Sequence, residues 1–269
     1  FAKMPETYQG KEYSTIIPYL EEGIGYVQLN RPKAFNAVNA KLLDECYEIL
    51  GLYNDDPEVR VILIYGNEKA FAAGADLRAV AEYSAFEARD FLDKVHRTIF
   101  AMEDNHKPTI TAVQGLALGG GFEMVLASDI RILADNATLG LPEINLGIFP
   151  GAGGTQRFPR NASICQAKQY IFTGDFFDAA TALSMGLVNM VVPADQVMET
   201  AKKFAKKLMK KSPLALREAK NAVNQSMNLD IKAGSRAEQL GWSLLFASED
   251  QKEGMKAFLE GRKAEFKGK

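Results

Sequence analysis

Apolar and polar positions fall in blocks along the chain, and the period of each block points to an element. Residues 13–17 and 24–29 read as strands joined by the turn Glu21-Glu22-Gly23. Residues 36–53 read as a helix, because Val38, Leu42, Leu43, Cys46, Ile49 and Leu50 share one face. Residues 59–65 are continuously apolar between Pro57 and Gly66, which suits a strand buried on both faces. Ser84 and Glu87 have capping-box spacing, and Ala88, Leu92, Val95, Ile99 and Met102 then follow at helical intervals. A buried strand over 109–113, a helix opening near Gly120 or Gly121 and a strand over 129–133 come next. Strands alternating with helices predict an α/β architecture with crossover helices. After about residue 195 the strand signals stop. Residues 201–211 and 213–225 read as helices, with Ser212-Pro213 supplying an N-cap followed by proline. Residues 248–266 also look helical, with a weak point at Gly254. The expected division is an α/β core over 1–195 and an all-helical section over 196–269. No internal repeat is visible.

Composition narrows the chemistry. The 269 residues are 47% hydrophobic and 25% charged, the profile of a globular chain with a real core. The 32 basic and 34 acidic residues leave a formal charge of −2, so no global field draws the chain to nucleic acid or an anionic membrane. The lysines at 202, 203, 206, 207, 210 and 211 are spaced like a solvated helix face, and RNA binding is not expected of them. The two cysteines, Cys46 and Cys165, exclude a disulfide framework and a Cys-rich zinc site. His96 and His106 are the only histidines, so no metal site is expected and acid–base chemistry falls to carboxylates. Residues 1–6 carry neither a signal-peptide core nor an Arg-rich amphipathic stretch, and Met4 reads as an initiator. The most apolar long window, 111–130, is interrupted by Gln114, Glu123, Asp129 and glycines, so a membrane span is not expected. The expected compartment is the cytoplasm.

Two segments are rich in glycine, and the first follows a buried strand. In Gly115-Leu116-Ala117-Leu118-Gly119-Gly120-Gly121-Phe122-Glu123 the backbone can approach a ligand closely at a helix N-terminus, or simply make a tight turn. Gly151-Ala152-Gly153-Gly154-Thr155-Gln156-Arg157 lacks both the dinucleotide and the P-loop pattern. A third segment, Ala70 to Leu77, has small residues that leave N–H groups accessible, or make an ordinary turn. Glu123 beside the first cluster is either a helix N-terminal acid or a buried functional carboxyl. Glu143, in an apolar loop, is either a surface acid or its partner. The elements between them permit both to reach one cleft. Two carboxylates there would push their pKa values apart and could serve proton transfer next to a carbonyl, through an enolate held by backbone donors.

Taken together, these segments resemble the crotonase (enoyl-CoA hydratase/isomerase) superfamily. The matching stretches are Leu29 to Ala37 (LNRPKAFNA), Ala70 to Leu77, Gly115 to Glu123, Leu141 to Arg157, Phe172-Thr173-Gly174 with Ala180 to Val188, and Glu253 to Glu260. The resemblance implies a spiral of repeated ββα units with a helical C-terminal section that trimerises, often into a hexamer as a dimer of trimers. It implies an acyl-CoA thioester substrate, with no cofactor beyond the CoA that the substrate carries. By the same resemblance Ala75 and Gly120 supply the oxyanion hole, and Glu123 and Glu143 are the two catalytic glutamates. CoA contacts are implied for Lys33, Ala34, Phe35, Ala73, Asp76, Leu77, Arg78 and Phe258. The implied activity is that of a short-chain enoyl-CoA hydratase of fatty acid β-oxidation. An enoyl-CoA isomerase, a dienoyl-CoA hydratase, or a noncatalytic acyl-CoA- or RNA-binding relative are the alternatives. Three positions depart from the family pattern. Leu141 stands where many hydratases have Gln, Phe122 is bulkier than usual and expected to reshape the acyl pocket, and Gly261 replaces a basic residue expected near the CoA phosphate.

Overall fold

The structure, a computed structural model, describes residues 7–269; residues 1–6, with Met4, lie outside it. A short antiparallel ribbon, β1 (Thr7–Tyr8) and β2 (Lys11–Glu12), leads into a hairpin of β3 (Ile16–Glu21) and β4 (Ile24–Leu29). Then follow α1 (Ala40–Asp55), β5 (Val61–Tyr65), β6 (Ala70–Ala73), α2 (Leu77–Val80), α3 (Ala85–Glu103), β7 (Thr109–Val113), β8 (Leu116–Leu118) and α4 (Gly120–Leu126). Next come β9 (Ile130–Ala134), β10 (Thr138–Gly140), α5 (Gly154–Asn161), α6 (Ile164–Thr173), β11 (Phe176–Asp178), α7 (Ala179–Ser184) and β12 (Met190–Val192). The last helices are α8 (Val197–Leu208), α9 (Pro213–Gln225), α10 (Ile231–Leu244) and α11 (Glu249–Leu259).

The ten strands after the β1–β2 ribbon divide between two larger sheets. The larger has six, in the order β12-β9-β7-β5-β4-β3, and the smaller four, in the order β11-β10-β8-β6. Each pair β5/β6, β7/β8 and β9/β10 sends its first strand to the large sheet and its second to the small one. This is the expected ββα spiral, and no sequence repeat accompanies it. The switch between sheets is tight. Gly115 (φ +59°), between β7 and β8, has no room for a side chain, which would begin 2.1 Å from the Lys69 carbonyl oxygen.

Both faces of the large sheet are covered, which explains its unbroken apolar runs. Ile62, Ile64, Val113 and Leu133 face the main core with Leu42, Leu43 and Cys46 of α1. Val61, Leu63, Ile110 and Ile132 face Val197, Ala201 and Ala205 of α8. Thus α8, though part of the section 196–269, roofs the sheet, while α9 and α10 bury no residue completely.

Several predicted boundaries move for local reasons. The strand expected over 13–17 runs Ile16–Glu21, because the N–H groups of Ser14 and Thr15 donate to the Glu45 carboxylate instead of to a neighbouring strand. The helix expected from 36 begins at Ala40, capped by Asn39. Asn36 is held at φ +57°, and its side-chain amide donates to Ala70 O and Phe71 O. The strand expected over 129–133 runs Ile130–Ala134, and the helix expected over 201–211 runs Val197–Leu208. The helix expected over 248–266 stops at Leu259, and the tail folds back, with Gly268 N–H donating to Asp250. Gly254 is no weak point, since its missing side chain makes room for the Phe266 ring. Helix α10 and the small-sheet strands were not predicted. Among the described residues no helix is long and apolar enough to cross a membrane.

Candidate active site

The parallel strands of the small sheet end in register, with Ala73 beside Leu118 and Leu118 beside Gly140. Their C-terminal loops therefore converge, the usual place for a site on parallel strands. Gly74 (φ +91°) and Gly119 (φ +48°) turn the chain there. A side chain on Gly119 would begin 3.5 Å from the Gly74 Cα and 2.9 Å from Glu143 Oε1. Absence of side chains thus brings Ala75, Gly120 and Glu143 to one place.

Two backbone donors are left over. Val38 N–H donates to Gly74 O at 2.8 Å, and Asp76 N–H donates to Val38 O at 2.8 Å. This bridge skips the Ala75 N–H. Gly120 opens α4, where a helix has no internal acceptor for its N–H. Neither N–H meets an acceptor among the described residues.

Glu123 lies in the first turn of α4, in a run Gly121–Leu126 that is wholly buried. The residue is 1% exposed. Its Oε1 accepts from Ala152 N–H at 2.9 Å and Gly154 N–H at 2.6 Å. Burial pushes its carboxyl up to about 7, helped by the Glu143 charge and opposed by the two N–H groups and Arg157. Glu143 sits on the 3-10 turn Pro142–Leu146 directly after β10. Its Oε2 is enclosed and has no hydrogen-bond partner among the described residues, and burial raises its carboxyl above the usual range. One carboxyl is gripped and the other is unsatisfied. That asymmetry suits a base and an acid in one reaction.

The residues expected to touch CoA mostly gather beside these donors. Lys33 and Ala34 lie on a 3-10 turn, and Phe35 is half exposed while its carbonyl accepts from Ala73 N–H at 3.0 Å. Asp76 stands just before α2 without capping it, its side chain pairing with Arg31 at 2.7 Å, and Leu77 and Arg78 are exposed. Phe258 stands apart on α11 and is 84% exposed. The departures are also placed. Leu141 is fully buried, and a side chain on Gly154 would begin 3.0 Å from its Cδ1. Gly261 is exposed at φ +68° beyond α11. The ring of Phe122 corrects an expectation: it is sealed in the core, 5.6 Å from Phe177 and 6.0 Å from Phe158, because its position on α4 turns it away from the loops.

Sequence reasoning missed Ala152 and Gly154 as donors. The available signal is the Gly151–Gly154 cluster, whose small residues leave backbone N–H groups accessible. It also missed Arg157 and Glu103, whose guanidinium–carboxylate pair lies behind that loop at 2.5–2.6 Å. Among the described residues no group of three or more His, Cys, Asp or Glu side chains is placed to hold a metal.

Against known proteins, the family model for enoyl-CoA hydratase/isomerase matches residues 20–269. This chain belongs to the enoyl-CoA hydratase/isomerase family. It is 46% identical to a crotonyl-CoA hydratase of Syntrophomonas wolfei over 258 residues, covering 94% of this chain and 98% of the relative. It is 41% identical to a short-chain-enoyl-CoA hydratase of Clostridium acetobutylicum, again over 94% and 98% of the two chains. The crystal structure of an enoyl-CoA hydratase from Bacillus anthracis superposes with a TM-score of 0.91 at 37% identity, over 95% of this chain and all of that one. The converging loops, both glutamates and both free donors lie inside the stretch that the enoyl-CoA hydratase/isomerase model matches.

Proposed function

We propose that this chain, an enoyl-CoA hydratase and hence a hydro-lyase, adds water reversibly and in the syn sense across the Cα=Cβ bond of a short trans-2-enoyl-CoA. The product is a 3-hydroxyacyl-CoA. The observation that carries this reading is the meeting of one buried and one half-buried carboxyl with two unpaired backbone N–H groups.

In the proposed mechanism the thioester oxygen accepts from Ala75 N–H and Gly120 N–H. Donors placed where charge develops lower the barrier to the enolate. Both glutamates hold one water. Glu123, ionised, takes a proton from it as the water oxygen bonds to Cβ and the π electrons move toward the carbonyl. Glu143, in the protonated form that its raised pKa favours, delivers its proton to Cα as the enolate collapses. The water oxygen and two protons are thereby accounted for, and solvent resets the carboxyls. CoA lies along Lys33, Ala34 and Phe35, then Ala73 and Asp76 to Arg78, with Phe258 of a neighbouring copy closing over it. No cofactor beyond the CoA of the substrate enters this scheme.

The chain is further proposed to work as a homotrimer or a hexamer of two trimers, in the cytoplasm. Large apolar residues left open on α10, such as Ile231 at 83% exposure, support assembly.

The test follows loss of the conjugated thioester absorbance of crotonyl-CoA. Glu123→Gln and Glu143→Gln are each expected to lower kcat by roughly 10²–10⁴-fold while product binding persists. Incorporation of solvent oxygen separates hydration from isomerisation. A wild-type protein inert on every 2-enoyl-CoA would overturn the proposal.

A further inference from the structure

We propose that the ion pair between Glu103 and Arg157 is a positioning device for Glu123, acting through the loop that grips it. This rests on Glu123 being the base of the proposed hydration.

The contacts form one connected path. The Arg157 Nε and one terminal nitrogen donate to the two Glu103 oxygens at 2.6 and 2.5 Å, a fork-on-fork pair. The other terminal nitrogen donates to Ala152 O at 3.3 Å, and the Arg157 backbone N–H donates to Gly153 O at 2.8 Å. Ala152 and Gly154 are the residues whose N–H groups hold Glu123 Oε1. Gly153 (φ +98°) lies so close beneath the guanidinium that a side chain would collide with it. The arginine therefore fixes the peptide between the two gripping N–H groups and the peptide that carries the Gly154 N–H. Glu103 is fixed in turn, because it ends α3 and its carbonyl accepts from Asn224 of α9 at 3.1 Å. Lys220 of α9 donates to the neighbouring Met102 carbonyl at 3.2 Å. The pair also brings a positive charge behind a buried carboxylate.

An ion pair that merely staples α3 to α5 would predict lost stability and nothing more. The two roles separate on the acid limb of the kcat/KM profile. The charged groups that act on Glu123 are Glu143, from the turn after β10, and Arg157 from α5. Arg157 faces Glu103 of α3 and, farther off, Arg131 of β9. Removing the Arg157 charge and loosening the two N–H donors both destabilise the carboxylate, so the limb must move to higher pH.

The experiment measures crotonyl-CoA hydration by Arg157→Gln, Arg157→Lys and Glu103→Gln, each checked for folding by circular dichroism. Arg157→Gln is expected to lower kcat about 10–100-fold with KM within about threefold, and to raise the acid limb by roughly half a pH unit or more. Arg157→Lys keeps the limb near the wild-type position and recovers part of kcat. In a Glu123→Gln background, Arg157→Gln adds little further loss, because the two act as a unit. Should Arg157→Gln not fold, Glu103→Gln carries the same kcat and double-variant tests, since it keeps the side-chain shape. An unmoved limb with losses that multiply in the double variant overturns the proposal. Wild-type inactivity, by contrast, overturns the hydratase reading itself.

Discussion

Helices α4 and α10 are built from similar apolar material and end in opposite surroundings. In α4 every residue from Gly121 to Leu126 is buried, between β6, β8 and α5. In α10, twice as long, none is buried, and Leu240, Trp242 and Leu244 are 62–69% exposed. An apolar helix face needs a cover. The α/β core provides one for α4 from its own chain and so can seal a carboxylate beside it. The C-terminal helices pack on each other and leave their outer faces open. Both glutamates and both backbone N–H donors thus come from one chain, while the outer helix faces are left without a cover.

The largest effect expected of this contrast is at Gly121. A methyl there would begin 2.1 Å from the Ala72 carbonyl oxygen, backbone of the strand that leads to Ala75. Gly121→Ala must move β6 or α4, at a cost of about 4 kcal/mol or more. Denaturant unfolding should show a protein at or beyond its stability limit, and normal unfolding would mean that α4 is less confined than its burial says. Next comes the open face. Leu240→Asp places a charge in any interface that forms there, costing roughly 3 kcal/mol, or about 100-fold in assembly. Light scattering should show the assembly shifted toward monomer, with each chain still folded. An unchanged mass would place the interface elsewhere.

A third effect belongs to the sealed carboxyl. The folded pKa of Glu123 is about 7, against about 4.3 in an unfolded chain. Between those values the folded chain holds more protons, so stability is fully favoured below the lower one and falls as pH rises through the upper. Glutamine cannot titrate, yet its carbonyl can accept both N–H groups. Glu123→Gln should therefore be far less active but more stable, with an advantage roughly 2–3 kcal/mol larger at pH 8 than at pH 5. Parallel stability curves for the two proteins would show that the carboxyl is not desolvated as its burial implies.

Motif resemblance and periodicity disclosed different parts of the molecule. Glu123, Glu143, Ala75 and Gly120 were all named from motif resemblance, and the Ser84 capping box and the strand over 109–113 stand where periodicity put them. The ββα spiral was invisible to periodicity. Its small-sheet strands, such as Leu116–Leu118 and Thr138–Gly140, are three or four residues long, too short to show alternation. The repeat lies in the path of the chain between sheets, and differing residues fill it. Arg157 escaped because its partner Glu103 is 54 residues away and no spacing rule links an α3 terminus to α5. Helix α10 escaped because Gly234 and Gly241 lower its local propensity, although Asp230 caps it through Lys232 N–H and Ala233 N–H.

Gly234 also gives the smallest and most discriminating test. It lies within α10, and a methyl there would meet only Leu229 Cβ, at 3.9 Å. Its backbone is not in the left-handed region that favours glycine. In an isolated chain, alanine would reduce the entropy lost on folding and stabilise the helix by about 0.5–1 kcal/mol. A second chain packed closely over this face changes the sign, because the methyl would enter a space the partner already fills. Unfolding of Gly234→Ala should be compared under dilute and assembled conditions. A gain in both places Gly234 at the rim of the cover, and a gain that turns to a loss on assembly places it beneath the cover. No gain in the dilute protein would mean that α10 is not helical without its cover, and the contrast with α4 would then be one of folding as well as of packing.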